Sequence, residues 1–333
     1  MSKFLKIKGT KLWQLIAFVA LGVILTRCGE VITGVDQPTT AKVGDVMPIA
    51  VHINIPTVGN GGPDYLIFGF LVPKGWQAGK NTTIGYTSPL GNGTMNLIPS
   101  TTLAKSGGGL NWPDDMKKTF GIGGNLIDDM EWVAYQSDKA YPHSNGNALT
   151  GDLNIKIKVG ADNNNTLVKL GYVITDTGNG FTSDNNGTYY SVKIANCFTL
   201  TGGTGDLVDF CNPQLTTTNP PKSLDNDLLT ITFDGTVTTT GLSGAQGTYL
   251  CATAYTNDGK IITVCDQSAK TQMNQIPAGS NKYQVTIWPR SFFGLQDTQT
   301  ITRMEYFLTD KTGNIKVGYG NTPSPFLFNF KCS

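Results

Sequence analysis

Apolar and polar residues alternate along much of this chain, the pattern of strands with one buried face. In Asp152–Val159, Leu153, Ile155, Ile157 and Val159 alternate with Asn154, Lys156 and Lys158. The segments "MPIAVHINI", "DYLIFGFLV", "NTTIGYTS", "TLVKLGYVITD" and "GTYYSVKIANCFTL" read as further strands. Later, Leu229, Ile231 and Phe233 alternate inward in "LLTITFDG", as do Tyr283, Val285 and Ile287 in "KYQVTIWPR" and Met304, Tyr306 and Leu308 in "RMEYFLTD". The helical piece is short, Pro113–Thr119 in "NWPDDMKKTFG", where a proline and two acids suit a helix start. These patterns predict an all-β protein.

Two tandem immunoglobulin-like β-sandwiches account for the length. An N-terminal unit of residues 28–211 is long for a seven-strand sandwich, and the excess falls in a glycine-rich insertion near 89–124. Residues 212–223, "NPQLTTTNPPKS", read as a linker, polar and broken by Pro220-Pro221. Residues 224–333 form the C-terminal sandwich.

The start of the chain has a different pattern. Lys3, Lys6, Lys8 and Lys11 precede the apolar run "WQLIAFVALGVIL", Trp13 to Leu25. That run is shorter than the roughly 20 residues a spanning helix needs, and a basic opening before a short apolar core is the plan of a secretory signal peptide. The alternative is an uncleaved N-terminal anchor. Leu25, Thr26 and Cys28 resemble the lipobox of bacterial lipoproteins, with Arg27 departing from the small residue usual before the cysteine. The resemblance implies cleavage of residues 1–27, a lipid on Cys28 and attachment to a membrane. The mature chain then carries 20 basic residues against 24 acidic, a net charge of −4 instead of +1. No basic stripe survives, so nucleic acid is excluded as an expected partner.

Five cysteines remain. Folding "CFTLTGGTGDLVDFC" about Thr204 sets Phe198 against Phe210, Leu200 against Val208 and Cys197 against Cys211. Folding "CATAYTNDGKIITVC" about Asp258 sets Thr253 against Thr263, Tyr255 against Ile261 and Cys251 against Cys265. The other face of this second hairpin gathers Leu250, Ala252, Ala254, Ile262 and Val264. Two cross-strand disulfides suit an oxidising compartment; the alternative is free thiols. Cys332 is left over, and no cysteine or histidine spacing suggests zinc.

Catalytic chemistry finds little purchase. Asp128, Asp129 and Glu131 cluster in "LIDDMEW", and Asp114 and Asp115 lie near Trp112. Paired carboxylates can hydrolyse a glycosidic bond, but acids on a surface loop are ordinarily just solvated. His52 falls in an alternating strand and His143 in a loop, neither beside a nucleophile. The Asx-rich "GADNNNT" and "SDNNGT" read as turns in preference to calcium loops. The sequence therefore predicts no enzyme, cofactor or metal.

Binding fits better, because sugars stack on exposed aromatic rings while amide and hydroxyl groups take their hydroxyls. Trp288 is the leading candidate, sharing a face with Gln284 and Thr286 at a strand end marked by Pro289. Tyr255, Trp76, Trp112 and Trp132 are further candidates, with core packing as the alternative for each tryptophan.

"QPTTAKVGDVMPIAV" followed by "LIFGFLVPKGWQAGKNTTIGYTS" resembles the opening of an uncharacterised lipoprotein family of Bacteroidetes. "NKYQVTIWPRSFFGL" with "MEYFLTDKTGNIKVG" is similar to small starch-binding-type sandwiches. These resemblances imply an outer-membrane lipoprotein associated with polysaccharide uptake of the starch-utilisation type; joined to the aromatic candidates and the lack of a catalytic motif, the expected function is non-catalytic capture of polysaccharide or oligosaccharide. The alternative function is docking onto an outer-membrane transporter or another envelope protein. Which leaflet the protein faces stays open.

Overall fold

A computed structural model describes residues 30–331, apart from residues 57–62, 123–128, 143–147, 185–186 and 206. Cys28, Asp128, His143 and Cys332 lie outside the described residues. The chain divides into two units after Val208. Both are all-β and sandwich-like, and no described helix is long and apolar enough to cross a membrane.

The first unit contains β1 (Val31–Asp36), β2 (Thr40–Lys42), β3 (Val46–Ile55), β4 (Asp64–Pro73), β5 (Thr82–Thr87), β6 (Gly93–Leu97), β7 (Met130–Tyr141), β8 (Leu149–Lys158), β9 (Asn165–Val168) and β10 (Gly171–Asp176). A small pair, β11 (Ser183–Asp184) and β12 (Gly187–Thr188), then precedes β13 (Ser191–Ile194), β14 (Phe198–Thr201) and β15 (Leu207–Asp209). A nine-stranded sheet runs in the order β1-β3-β8-β5-β6-β7-β4-β10-β13, and a four-stranded sheet runs β15-β9-β14-β2. The large sheet curls until its ends approach, the Ile32 N–H donating to Ser191 Oγ at 3.1 Å. Phe68, Phe70, Ile155, Ile157 and Tyr172 of the large sheet and Phe198 and Leu200 of the small one are fully enclosed.

"TLVKLGYVITD" is two strands because the chain changes sheets there, β9 joining the small sheet and β10 the large one. The insertion near 89–124 supplies β6, which pairs with β5 and β7, and the helix Trp112–Phe120. Asn111 caps that helix, its Oδ1 accepting from the Asp114 N–H at 2.9 Å, and Pro113 stands in the first turn. The helix rests on β4 at Gly69, where a Cβ would meet the Met116 sulfur at 2.5 Å and Val173 at 2.4 Å. A hydrogen at this position is what lets the helix close over the sheet.

The hairpin about Thr204 is corrected. β9 lies between β14 and β15, so Phe198 and Leu200 pair with Val168 and Thr166, not with Phe210 and Val208. Asn165 draws the glycine-rich turn onto β9, donating to the carbonyls of Gly203 and Gly205 and accepting from the Gly203 N–H. Cys197 and Cys211 are nonetheless both disulfide-bonded. In "GADNNNT", Asn163 adopts a left-handed conformation at φ 59° and bonds Thr204, so these Asx side chains build a turn.

The second unit contains β16 (Thr216–Asn219), β17 (Leu229–Asp234), β18 (Thr248–Thr256), β19 (Ile261–Val264), β20 (Gln272–Gln275), β21 (Lys282–Ile287), β22 (Ile301–Thr309), β23 (Lys316–Val317) and β24 (Phe326–Asn329). The expected linker is a second correction: Thr216–Asn219 is an edge strand paired with β17, and Leu215 is fully buried in the core. Its threonines sustain an extended edge, while its polarity reflects solvent on one side. The strands follow the order β16-β17-β21-β20-β18-β22-β23, with β19 beside β18 and β24 beside β22. β20 pairs β21 through Asn274 and Gln275 and β18 through Gln272 and Met273, carrying the sheet around the core. β18 and β19 pair Thr253 with Thr263 and Tyr255 with Ile261, and Cys251 and Cys265 are disulfide-bonded at the end of that ladder.

Candidate functional site

The strongest candidate surface is the outer face of β16, β17, β21 and β20. Leu229, Ile231 and Phe233 of β17 and Tyr283, Val285 and Ile287 of β21 are buried, so alternation turns the intervening residues outward. The ladder sets Thr230 opposite Thr286, Thr232 opposite Gln284 and Asp234 opposite Lys282. On one side β16 adds Asn219 beside Thr230 and Thr217 beside Thr232; on the other β20 adds Asn274 beside Gln284. The result is rows of hydroxyl and amide groups running across the strands.

Bonds within the face hold these groups in place. Thr230 Oγ1 and Thr286 Oγ1 are 2.9 Å apart, and Gln284 Nε2 donates to Thr232 Oγ1 at 3.1 Å. Lys282 Nζ lies 2.7 Å from Asp234 Oδ2. Partial burial opposes ionisation of Asp234, but Lys282 and Thr236 outweigh it and hold the carboxyl below its usual range.

Trp288 stands at the end of this face. Its backbone is still extended, φ −98° and ψ 103°, so the alternation that exposes Gln284 and Thr286 reaches it, and the residue is 49% exposed. The chain then turns into the helix Pro289–Phe293, anchored by buried Phe292 and Phe293. Arg290 locks that turn, donating to Asp225 Oδ2 at 3.2 Å, Gln299 O at 2.6 Å and Gln296 O at 2.9 Å. Asp225 Oδ2 also accepts from the Ile301 N–H at 2.9 Å. The ring thus projects from a rigid support, which lowers the ordering cost of binding.

The other aromatic candidates do not join it. Tyr255 lies on the outer face of β18 and β22, the opposite side of the core, where the Arg303 guanidinium covers its ring at 4.2 Å and its hydroxyl donates to Glu305. Trp76, Trp112 and Trp132 are buried, at 0%, 2% and 4% exposure, which corrects their reading as ligand contacts. Trp76 meets Phe198 edge-on, Trp112 meets Phe181, and the Trp132 indole donates to Gly121 O at 2.8 Å. They fill the first unit because covering its large sheet on both sides needs bulky apolar side chains.

The candidate acids are dispersed. Asp115 is buried and accepts from the Ser106 hydroxyl at 2.7 Å, Asp114 lies in the first turn of its helix, and Glu131 is on β7. Burial raises the Glu131 carboxyl above its usual range. His52 bridges three strands, Nδ1 lying 2.6 Å from Asp152 and Nε2 3.0 Å from Asp36; both carboxylates raise its pKa, Asp36 more strongly. Sequence reasoning missed Thr217, Asn219, Thr230, Thr232 and Asn274. Alternating threonines in "LLTITFDG" were the available signal, but which strands lie beside them is a matter of register.

Fold and surface define an all-β protein of two sandwich-like domains with a rigid polar face on the second. The chain belongs to the family described as a domain of unknown function, DUF4961, which matches residues 30–214. Residues 216–317 match a second domain of unknown function, DUF8578. No curated protein matches the chain in sequence. Among solved structures it is similar to the C-terminal domain of the Streptococcus agalactiae AgI/II polypeptide BspA, at 10% identity, with 87% of this chain and 98% of that one covered and a TM-score of 0.26. It is also similar to the C-terminal domain of the Streptococcus pyogenes antigen I/II-family protein AspA, at 9% identity, 86% and 96% coverage and a TM-score of 0.27. A third similar structure is the B domain of a biofilm associated protein, at 10% identity, 87% and 83% coverage and a TM-score of 0.26.

Proposed function

We propose that this protein is a non-catalytic, lipid-anchored outer-membrane protein that captures polysaccharide or oligosaccharide on the outer face of its second domain. The observation that carries the reading is Trp288, exposed on a rigid turn at the end of rows of threonine, glutamine and asparagine. A flat ring beside oriented hydroxyl and amide groups is what a sugar needs, its apolar face stacking while its hydroxyls are bonded. A lipid on Cys28 would tether the module, and the disulfide-bonded cysteines agree with an oxidising compartment. The resemblance to Bacteroidetes lipoproteins adds an association with starch-utilisation-type uptake. In affinity electrophoresis through polysaccharide gels, Trp288→Ala is expected to abolish retardation while leaving the melting temperature unchanged. Retardation equal to that of the unaltered protein ends the role of Trp288.

A second reading is docking onto an outer-membrane transporter or another envelope protein. It is favoured by Leu228, 64% exposed and one residue beyond the Leu229–Ile287 pair, which would extend Trp288 into an apolar contact. Co-purification with an envelope complex, lost in Leu228→Ser and independent of glycan, distinguishes this reading from the first.

A further inference from the structure

Resting on the glycan reading, we propose that the face selects uncharged polysaccharide chains and rejects acidic ones. The argument is one of charge. On the outward positions of β17, β20 and β21, Asp234 and Lys282 are the ionised groups, and they neutralise each other at 2.7 Å. Every other group that Trp288 could work with there is a hydroxyl or an amide. A uronate or sulfate brought onto this surface would lose water and find, among the outward residues of these strands, no cation besides Lys282, which Asp234 already engages, and an uncompensated ion is costly to desolvate. A neutral sugar asks only for hydrogen bonds; after Gln284 Nε2 donates to Thr232 Oγ1, the Gln284 carbonyl oxygen, the Thr232 hydroxyl hydrogen and the amide of Asn274 on the neighbouring strand offer acceptors and donors.

The geometry fits an extended chain. Adjacent strands are about 4.8 Å apart, so Thr232, Gln284 and Asn274 present polar groups at a spacing near the length of one sugar unit. Trp288 lies one row beyond Thr286, placing its ring at the margin of those rows.

The test uses the full chain against neutral glucans, mannans and xylans and against polygalacturonate, alginate and sulfated glycans, at low and high salt. Expected is binding to at least one neutral class, insensitive to salt, with no binding to the acidic set. Gln284→Ala should weaken that binding about tenfold, the equivalent of one hydrogen bond. Asp234→Asn frees Lys282 and should create salt-sensitive binding to acidic chains, in a protein that melts slightly lower at neutral pH, because the ionised carboxyl no longer contributes, but keeps its native circular dichroism. Acidic chains binding the unaltered protein as well as neutral ones overturn the selectivity while leaving glycan capture standing. Acidic chains still failing to bind Asp234→Asn overturn the charge argument. No binding to any glycan overturns the underlying reading as well.

Discussion

The two domains are built from the same alternating strands yet treat their tryptophans in opposite ways. The first encloses Trp76, Trp112 and Trp132, whereas the second presents Trp288 to solvent. The difference follows from layering. In the first, the helix Trp112–Phe120 covers one side of the large sheet, so β4 is buried on both faces. In the second, β17 and β21 keep a bare outer face whose residues are threonine, glutamine and a neutralised ion pair. A covered sheet needs apolar volume on both sides, and a bare one can offer chemistry.

The first domain holds one carboxyl well above its usual range, although Asp138 on β7 is held below it by the Tyr86 hydroxyl. Glu30 is buried against Asp176 and receives the Tyr141 hydroxyl at 2.9 Å; burial first, and Asp176 second, push its carboxyl up to about 8. In the second domain Asp234, Asp258 and Asp310 are all held below the usual range, Asp258 and Asp310 chiefly by threonine hydroxyls.

The contrast can be broken at several points, beginning with the largest effect. Trp76→Ala removes a fully buried side chain and should destabilise the first domain by about 3–5 kcal/mol, read as lost hydrogen-exchange protection in β4 and β14. Replacing Cys251 and Cys265 together by serine opens a loop with a sequence separation of 14, and should cost the second domain about 3 kcal/mol in chemical denaturation.

Raising the pH from the acid range to about 8 should weaken the first domain. Native Glu30 retains a proton that the unfolded chain has already released, so its contribution is full below the ordinary glutamate range and is lost as pH rises toward 8. Glu30→Gln should flatten that decline in urea titrations; an unchanged slope would show that the buried carboxyl does not govern it. His52 adds a smaller loss in the same direction, complete once pH passes its raised pKa, and Asp36→Asn should lower that pKa in an NMR titration. In the second domain the depressed aspartates reverse the sign: their contribution is present above the usual carboxylate range and lost as pH falls through their native pKa values. The smallest expected change is the most informative, because Trp288→Ala should leave stability within about 0.5 kcal/mol.

Much of the architecture was legible because it is local. The alternation in "LLTITFDG" and "KYQVTIWPR" yielded strands close to β17 and β21 and the correct inward residues, and Asn-Asp-Gly fixed the β18–β19 hairpin register through a tight turn. The Thr204 hairpin failed for the complementary reason: β9, distant in sequence, pairs with β14 and displaces the local partner. Thr216–Asn219 was misread because an edge strand with solvent on one side has the composition of a linker.

The sequence by itself determined the all-β class, the two-domain plan and which residues of β17 and β21 face inward, since each depends on periodicity within a few residues. Only the tertiary structure decided that three of four candidate tryptophans are core, that Tyr255 is covered by Arg303, and that Thr230, Thr232, Asn219 and Asn274 share a face with Gln284 and Thr286. Those outcomes depend on strand neighbours far apart along the chain and on what covers each sheet, neither of which is encoded in a local period.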